Sequence, residues 1–231
     1  MGHFAVIDTE TNWADQVMSI GTVIADDVTF EIRDAKYHIL PIECQIGGMY
    51  ESTLFIEVPV QPVLCTRQQA IGELKEWFSQ YQVEKIFAYN ASFDRNHLPE
   101  LRQMQWFDIM RLAAYRQTNP KIPANSEFFS TGRLKRGYGV EAMIRLLSGR
   151  RTYSETHNAF HDVLDELEIM RLLGKVKQDG LTLIPLSVYF KGSRVKVKVG
   201  LCKGKKLHDK RQAAAEKDAK RQIQRAMKER Y

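Results

Sequence analysis

Residues 4–11 read Phe4-Ala5-Val6-Ile7-Asp8-Thr9-Glu10-Thr11. The first four are apolar and partly β-branched, which predicts a short central strand that is buried on both faces. Because side chains two apart on a strand point to the same face, we expect Asp8 and Glu10 to project together where this strand ends. Ligand sites in α/β sheets lie at the carboxyl ends of strands, so a site with paired carboxylates is indicated here.

The chain up to residue 173 continues with strand and helix patterns. Thr66 and Gln69 form a capping box before one apolar helical pattern. Residues 118–137 are rich in Pro, Gly, Ser and Asn, which predicts a long loop of the kind that borders a site. The order of the elements indicates a mixed α/β sheet covered by helices. The predicted strands span 17–24, 30–40, 85–89 and 106–109, and the predicted helices span 66–82, 140–148 and 154–173, with a further helix start near Ser92.

Length and composition bound the possible functions. A chain of 231 residues predicts one domain with a smaller appendage. It contains no apolar run of membrane-spanning length and no signal-like N-terminal segment, so no membrane partner is expected. Cys44, Cys65 and Cys202 have neither metal-type spacing nor a paired framework, which is typical of reduced thiols. We therefore expect a cytoplasmic protein.

The net charge of +6 conceals an uneven distribution along the chain. Residues 172–231 contain 17 Lys or Arg and 5 Asp or Glu, which gives +12. The remaining 17 basic and 23 acidic residues give −6 for residues 1–171. An acidic body with a basic tail indicates a metal-binding or catalytic unit joined to a segment that binds polyanions such as nucleic acid.

Two further carboxylates occur in separate elements. Asp94 ends the segment Asn90-Ala91-Ser92-Phe93-Asp94 after a predicted strand, and Asp162 ends His157-Asn158-Ala159-Phe160-His161-Asp162 in the predicted helix 154–173. Hydrolysis of a phosphodiester by hard divalent cations needs three or four carboxylates that converge from different elements. Each carboxylate alone has an ordinary structural explanation, so the inference depends on their order and spacing together.

These segments, with Ile7-Asp8-Thr9-Glu10-Thr11, resemble the three motifs of the DEDD exonucleases, in the subgroup that carries a histidine (DEDDh). The resemblance covers about 170 residues. It implies a ribonuclease H-like fold with a mixed five-stranded sheet and the removal of nucleotides from 3′ ends of DNA or RNA. The glycine that usually follows the first motif is absent, because Asn12-Trp13 follows Thr11.

The resemblance also implies the roles of the site residues. Asp8, Glu10 and Asp162 would hold a first divalent cation, Mg²⁺ or Mn²⁺, and Asp8 would bridge to a second one, with Asp94 acting partly through water. His157 has the spacing of the residue that takes a proton from the attacking water, and neutral imidazole is a competent base near pH 7. The competing residue is His161. The residues expected to line the pocket of the terminal nucleotide are Thr9, Asn90 and Phe93.

The segment after Gly174 has a different composition. Residues 181–190 and 193–201 alternate around residues 191–193 as in a β-hairpin, and residues 209–231 are dominated by strong helix formers. From about Arg171 onward the chain resembles the C-terminal part of small protein B (SmpB), the partner of transfer-messenger RNA in ribosome rescue. The matching segments are GLTLIPLSVYFK (180–191), RVKVKVGL (194–201) and KGKKLHDKR (203–211). The earlier portion of that family, with most of its barrel, is missing.

We therefore expect an exonuclease domain at residues 1–173 and an SmpB-like tail at residues 174–231, with a hairpin at about 181–201 and a helix at about 209–231. The expected partners are the 3′ ends of single-stranded nucleic acid, with RNA favoured, and the ribosome or another structured RNA. Two alternatives remain open: a DNA-directed proofreading or repair exonuclease, and a non-catalytic scaffold for a ribosome-binding tail. The residues expected to contact nucleic acid in the tail are Lys203, Lys205, Lys206, Lys210 and Arg211.

Overall fold

The computed structural model describes residues 2–178, 181–191 and 194–203. The chain forms two compact units, Met1–Leu173 and Gly174–Tyr231. The first unit contains a six-stranded mixed sheet with the order β4-β3-β2-β1-β5-β6. Its strands are β1 His3–Thr11, β2 Val17–Asp26, β3 Ile32–Ile39, β4 Val63–Leu64, β5 Lys85–Ala88 and β6 Gln105–Asp108.

The pairing of these strands is mixed. β2 is antiparallel to both β1 and β3, whereas β4 is parallel to β3, β5 to β1 and β6 to β5. The predicted α/β class with a mixed sheet flanked by helices is confirmed. The sheet has one strand more than the five expected, because β4 adds a two-residue edge whose side chains are both exposed. So short an exposed pair has no hydrophobic periodicity from which to predict it.

Six α-helices surround the sheet in the part of the chain that is described. The capping box predicted at the start of α2 is present, with the side chains of Thr66 and Gln69 each bonded to the other residue's backbone amide. Two 3₁₀ turns lie at Glu51–Thr53 and Pro99–Leu101. The helices are α1 Pro41–Cys44, α2 Arg67–Gln80, α3 Ser92–His97, α4 Ile109–Ala113, α5 Val140–Ser148 and α6 Ala159–Gln178.

The central strand β1 is buried on both faces, as predicted. Phe4 and Val6 pack in one core with α4, α5 and α6, whereas Ala5 and Ile7 pack in a second core with α2. Because side chains alternate along a strand, Asp8 and Glu10 continue the face that packs against α6. The sheet therefore directs both carboxylates toward the same helix.

The helix α6 begins later than the sequence predicted. The expected start was residue 154, but the first helical residue is Ala159. Asn158 ends the preceding irregular segment, because its side-chain oxygen accepts from the amides of Phe160 and His161 at 3.0 and 3.2 Å, as an N-cap residue does. His157 consequently lies before the helix, in a left-handed conformation with φ of 54°.

The second unit contains a β-hairpin where the alternating pattern predicted one. Its strands are β7 Leu181–Lys191 and β8 Arg194–Lys203, and they are antiparallel. The predicted helix at 209–231 and the tail residues Lys205, Lys206, Lys210 and Arg211 lie outside the described residues, and for Lys203 only the backbone is described. Among the described helices, none is both long and apolar enough to cross a membrane.

Candidate active site

Three of the predicted carboxylates come together at the carboxyl end of β1. Asp8 and Glu10 project from the strand, and Asp162 projects from the first turn of α6. Each offers a ligand oxygen, and the three oxygens lie within 4.8 Å of one another. The alternation of the strand and the position of α6 thus give a cluster of oxygen ligands from two elements.

A glycine in β2 allows α6 to approach the sheet this closely. Gly21 is the register partner of Asp8. A Cβ atom at Gly21 would lie 2.0 Å from the carbonyl oxygen of Ala159, the first residue of α6. Only glycine fits at this contact, and the contact places Asp162 one turn further along, beside Asp8.

The fourth predicted carboxylate lies beside this cluster. Asp94, in the first turn of α3 after β5, is 1% exposed. Its carboxylate accepts a hydrogen bond of 2.8 Å from the hydroxyl of Thr9. Asp94 is not one of the three residues whose oxygens converge, but burial and the nearby charge of Asp8 both raise its pKa. Thr9 therefore connects β1 to Asp94 as well as lining the cleft described below.

The burial of these carboxylates close to one another disfavours their charged forms. Burial, followed by the charges of neighbouring carboxylates, raises the pKa of Glu10 to about 7 and that of Asp162 to about 10. The same causes raise the pKa of Asp8 well above its ordinary value. One oxygen of Asp162, Oδ1, is buried without a hydrogen-bond partner. A donor set of desolvated carboxylate oxygens fits a hard divalent cation, which would neutralise these charges.

A cleft of about 330 Å³ opens over the cluster. Trp13 and Phe93 stand on its rim, with 68% and 39% of their surface exposed. In the part of the chain that is described, no Lys or Arg lines the cleft, so a protein cation does not neutralise the carboxylates there. The lining residues are Asp8, Thr9, Glu10, Thr11, Asn12, Trp13, Met49, Tyr50, Phe93, Glu155, His157 and Asp162.

His157 lies in this cleft and is held by the segment 50–53. The ring of Tyr50 stacks on the imidazole, with centroids 4.2 Å apart and planes inclined by 17°. The hydroxyl of Thr53 donates to the carbonyl of His157, and the side-chain amide of Asn158 donates to the carbonyl of Thr53 at 2.8 Å. A ring nitrogen of His157 and carboxylate oxygens of Glu155 and Asp162 lie within 4.8 Å of one another.

Two predicted residues lie elsewhere. His161, the competitor of His157, places its Nε2 atom 3.0 Å from the carbonyl oxygen of Glu57 and does not line the cleft. Asn90 occupies an exposed left-handed turn after β5, with φ of 62°. Its backbone amide donates to the carboxylate of Asp108 at 3.0 Å. The structure thus brings Thr9 and Phe93 to the cleft and places Asn90 outside its lining.

The sequence reasoning missed Glu166 and part of the lining of the cleft. Glu166 is buried, accepts from the amide of Tyr89 at 3.0 Å, and has a second oxygen without a partner. Its spacing of four residues from Asp162 on a helix was the signal that could have found it. Trp13, Tyr50 and Glu155, which line the cleft, carry no motif and reach it from irregular segments.

Solved structures share the fold of the N-terminal part. The structure of Escherichia coli exonuclease I in complex with a dA16 oligonucleotide superposes with a TM-score of 0.50 and 14% identity, over 76% of this chain and 41% of that one. The nuclease domain of 3′hExo, described as a DEDDh family member bound to rAMP, gives a TM-score of 0.52 and 15% identity, over 77% of this chain and 92% of that one. The N-terminal part shares the fold of these two exonucleases.

Comparison of the sequence assigns the C-terminal region. Residues 142–229 match the model of the SmpB protein family. The chain is 51% identical over 69 residues to the SsrA-binding protein of Carboxydothermus hydrogenoformans and 51% identical over 80 residues to that of Thermosynechococcus vestitus. The C-terminal region is SmpB-like. These matches cover 30% and 33% of this chain, and the chain spans about half the length of the relatives, 46% and 53% respectively. The family match begins inside α5, well before Gly174.

Proposed function

We propose that residues 1–173 form a metal-dependent 3′→5′ exonuclease that acts on RNA, and that residues 174–231 bring it to RNA or to the ribosome. The observation that carries the proposal is the convergence of Asp8, Glu10 and Asp162 in a cleft that also contains His157. Four buried carboxylates close to one another are costly for a scaffold, because burial destabilises their charged forms. This cost favours an enzyme over the non-catalytic alternative.

The proposed ligands follow from the donor set. Asp8, Glu10 and Asp162 would hold a divalent cation, Mg²⁺ or Mn²⁺, and Asp8 and Asp94 would contribute ligands to a second one. When bound, such ions neutralise charge on the scissile phosphate and the leaving oxygen and activate a water molecule. The unpartnered oxygen of Asp162 and the raised pKa values of the cluster support this assignment, because oxygen ligands without a cation carry an electrostatic cost.

His157 is proposed to accept the proton of the attacking water. A general base must reach that proton, and His157 is the histidine that lines the cleft with the carboxylates. The Tyr50 stack and the Thr53 hydrogen bond hold the ring and backbone of His157 in place. The water oxygen bonds to phosphorus, the bond to the 3′ oxygen of the preceding nucleotide breaks, and that oxygen is protonated. The product is a nucleoside 5′-monophosphate.

The rim of the cleft is proposed to receive the terminal base. Aromatic side chains provide surfaces on which any nucleobase stacks, and Phe93 and Trp13 offer exposed rings there. Trp13 occupies the loop after the first motif, beside the carboxylates of β1, and lines the cleft. Thr9, which lines the cleft, is proposed to contact the same nucleotide, whereas Asn90 lies outside the lining and is not assigned a contact.

The preference for RNA is supported by the SmpB-like region. The curated relatives of this region are named for SsrA binding. The region carries a charge of +12 over residues 172–231, which favours a polyanion partner. The proposed contacts in this region are Lys203, Lys205, Lys206, Lys210 and Arg211.

The test uses RNA and DNA oligonucleotides of the same sequence, labelled at either end. The protein is incubated with Mn²⁺, with Mg²⁺ or with EDTA, and the products are separated by length. We expect a ladder that shortens from the 3′ end, faster for RNA, with release of 5′-monophosphates and complete inhibition by EDTA. Faster degradation of DNA would support the proofreading or repair alternative. The absence of hydrolysis with either cation would favour the non-catalytic scaffold instead.

A further inference from the structure

A basic loop stands out on the acidic first unit. Residues 115–138, which we call the basic loop, contain five Lys or Arg and one Glu, a net charge of +4. Residues 1–171 carry −6 in total, so the rest of that segment carries −10. The charge of the loop is therefore a local reversal of sign. Its charged residues are Arg116, Lys121, Glu127, Arg133, Lys135 and Arg136.

The basic loop is anchored at its base. Ile122 and Leu134 are buried in the core that contains α4, α5 and α6. The buried side-chain amide of Asn119 donates to the carbonyl of Ala113 at 2.7 Å. The backbone amide of Leu134 donates to the carbonyl of Ala114 at 2.9 Å. These contacts fix the loop against the end of α4 and the core beside it, and four of its five basic residues are exposed.

Aromatic rings hold two of the arginines. The guanidinium of Arg133 lies over Phe129 at 4.9 Å and over Tyr138 at 4.6 Å, and that of Arg116 lies over Phe128 at 5.4 Å. Phe129 is 43% exposed. Among the residues with described side chains, none of the five basic residues of the loop forms an ion pair. The loop thus presents ordered, unneutralised cations next to an exposed ring.

The basic loop lies on the side of the sheet that carries the carboxylates. The hydroxyl of Tyr89 donates to the carbonyl of Tyr138 at the end of the loop. The amide of the same Tyr89 donates to Glu166, which is buried with Asp94 and Asp162. Asp8 and Glu10 share the face of β1 that packs against the core anchoring the loop. A nucleic-acid strand whose 3′ end enters the cleft therefore lies on the same side of the sheet as the basic loop.

We propose that the basic loop binds the phosphate backbone of the single strand upstream of the terminal nucleotide. This inference rests on the proposed exonuclease function. Cations interleaved with aromatic rings bind single strands of any sequence, because phosphates and stacked bases are contacted together. Residues 1–171 carry a net charge of −6, which repels an approaching polyanion, and the loop offsets that repulsion for substrates long enough to reach it. The loop therefore sets the preference for long over short substrates.

The test compares substrate lengths with a triple variant, Arg116→Gln, Lys135→Gln and Arg136→Gln, in the full chain. All three residues are exposed, so the fold should tolerate the changes. For a 12-nucleotide substrate we expect KM to rise about tenfold or more, and the slope of log KM against log salt to fall by about 2, since each lost phosphate contact removes roughly 0.7. Cleavage of a dinucleotide, which needs only the cleft, should change less than twofold.

The matched control is the triple variant Lys75→Gln, Lys85→Gln and Arg102→Gln. Lys75 lies on α2, on the opposite face of the sheet, and Lys85 and Arg102 lie at or before the amino ends of β5 and β6. This variant should behave as wild type at every length. Equal effects of the two variants, or an unchanged KM and salt slope for the loop variant, would overturn the inference. Failure of the wild-type protein to cleave either substrate would instead contradict the proposed function.

Discussion

Replacing Glu10 with Gln should stabilise the protein when divalent cations are removed. Burial, with the charges of Glu155 and Asp94, raises the pKa of Glu10 from 4.5 to about 7. The folded state therefore holds its proton more tightly than the unfolded state does. The stability that this proton contributes is complete below pH 4.5 and is lost as the pH rises through 7, and the shift corresponds to about 3 kcal/mol. Gln keeps the shape of Glu10 without the charge.

The assay is thermal unfolding in EDTA at pH 8 and at pH 5. A gain of about 3 kcal/mol should raise the unfolding temperature of Glu10→Gln by about 6–12 °C at pH 8 for a protein of this size. The difference in unfolding temperature between the variant and the wild type should be smaller at pH 5, where Glu10 of the wild type is protonated. Glu76→Gln, on the exposed face of α2, is the control and should change little at either pH.

Addition of Mn²⁺ should reverse the advantage of the variant, because a cation that binds only the folded state stabilises it in proportion to its affinity. The wild type should gain more than Glu10→Gln. The reasoning is refuted if Glu10→Gln unfolds at a lower temperature than the wild type in EDTA at pH 8. It is also refuted if the difference in unfolding temperature between the two proteins is the same at pH 5 as at pH 8.

Further predictions concern the base, the packing of α6 and the tail. His157→Ala should lower turnover by about 10²–10⁴-fold and His161→Ala much less, and the opposite ranking in steady-state kinetics would reassign the base. Gly21→Ala should cost about 1–3 kcal/mol of stability and lower activity, because the added Cβ atom meets the carbonyl of Ala159. Unfolding and rate measurements that match the wild type would contradict the close contact between β2 and α6. Deletion of residues 209–231 should spare cleavage of short oligonucleotides but abolish pelleting with ribosomes. The affinity of the full-length protein for ribosomes should fall about 10³-fold between 50 and 200 mM salt if six phosphate contacts form. Equal pelleting of the full-length and shortened proteins would refute targeting by the tail.

The strand pattern predicted the part of the site that depends on local periodicity. Asp8 and Glu10 share a face because side chains alternate along β1, and the apolar residues before them predicted its burial. The sheet and the convergence of Asp162 with these two residues followed from motif order. The two-residue strand β4 was not predictable, because its pairing with β3 is a tertiary contact without a sequence pattern.

The contacts around His157 could not be read from the sequence. Because Asn158 caps α6, the helix begins five residues later than predicted, and His157 lies in the irregular segment before it. Tyr50 is more than 100 residues away in the chain, and its stacking depends on how the 3₁₀ turn after it meets α6. Glu155 also lies in the irregular segment before α6, where its amide donates to Glu141 of α5. Such long-range contacts depend on the packing of irregular segments, for which composition gives no signal.

The most direct test of the central claim is the exonuclease rate of Asp8→Asn. This substitution removes one charge from the shared position of the cluster at nearly constant shape. The account predicts that hydrolysis of 3′-labelled RNA collapses, while the metal-free protein remains folded and unfolds at the same temperature as the wild type or a higher one. A folded Asp8→Asn protein that degrades RNA at the wild-type rate would contradict the assignment of this cleft as the site of metal-dependent hydrolysis.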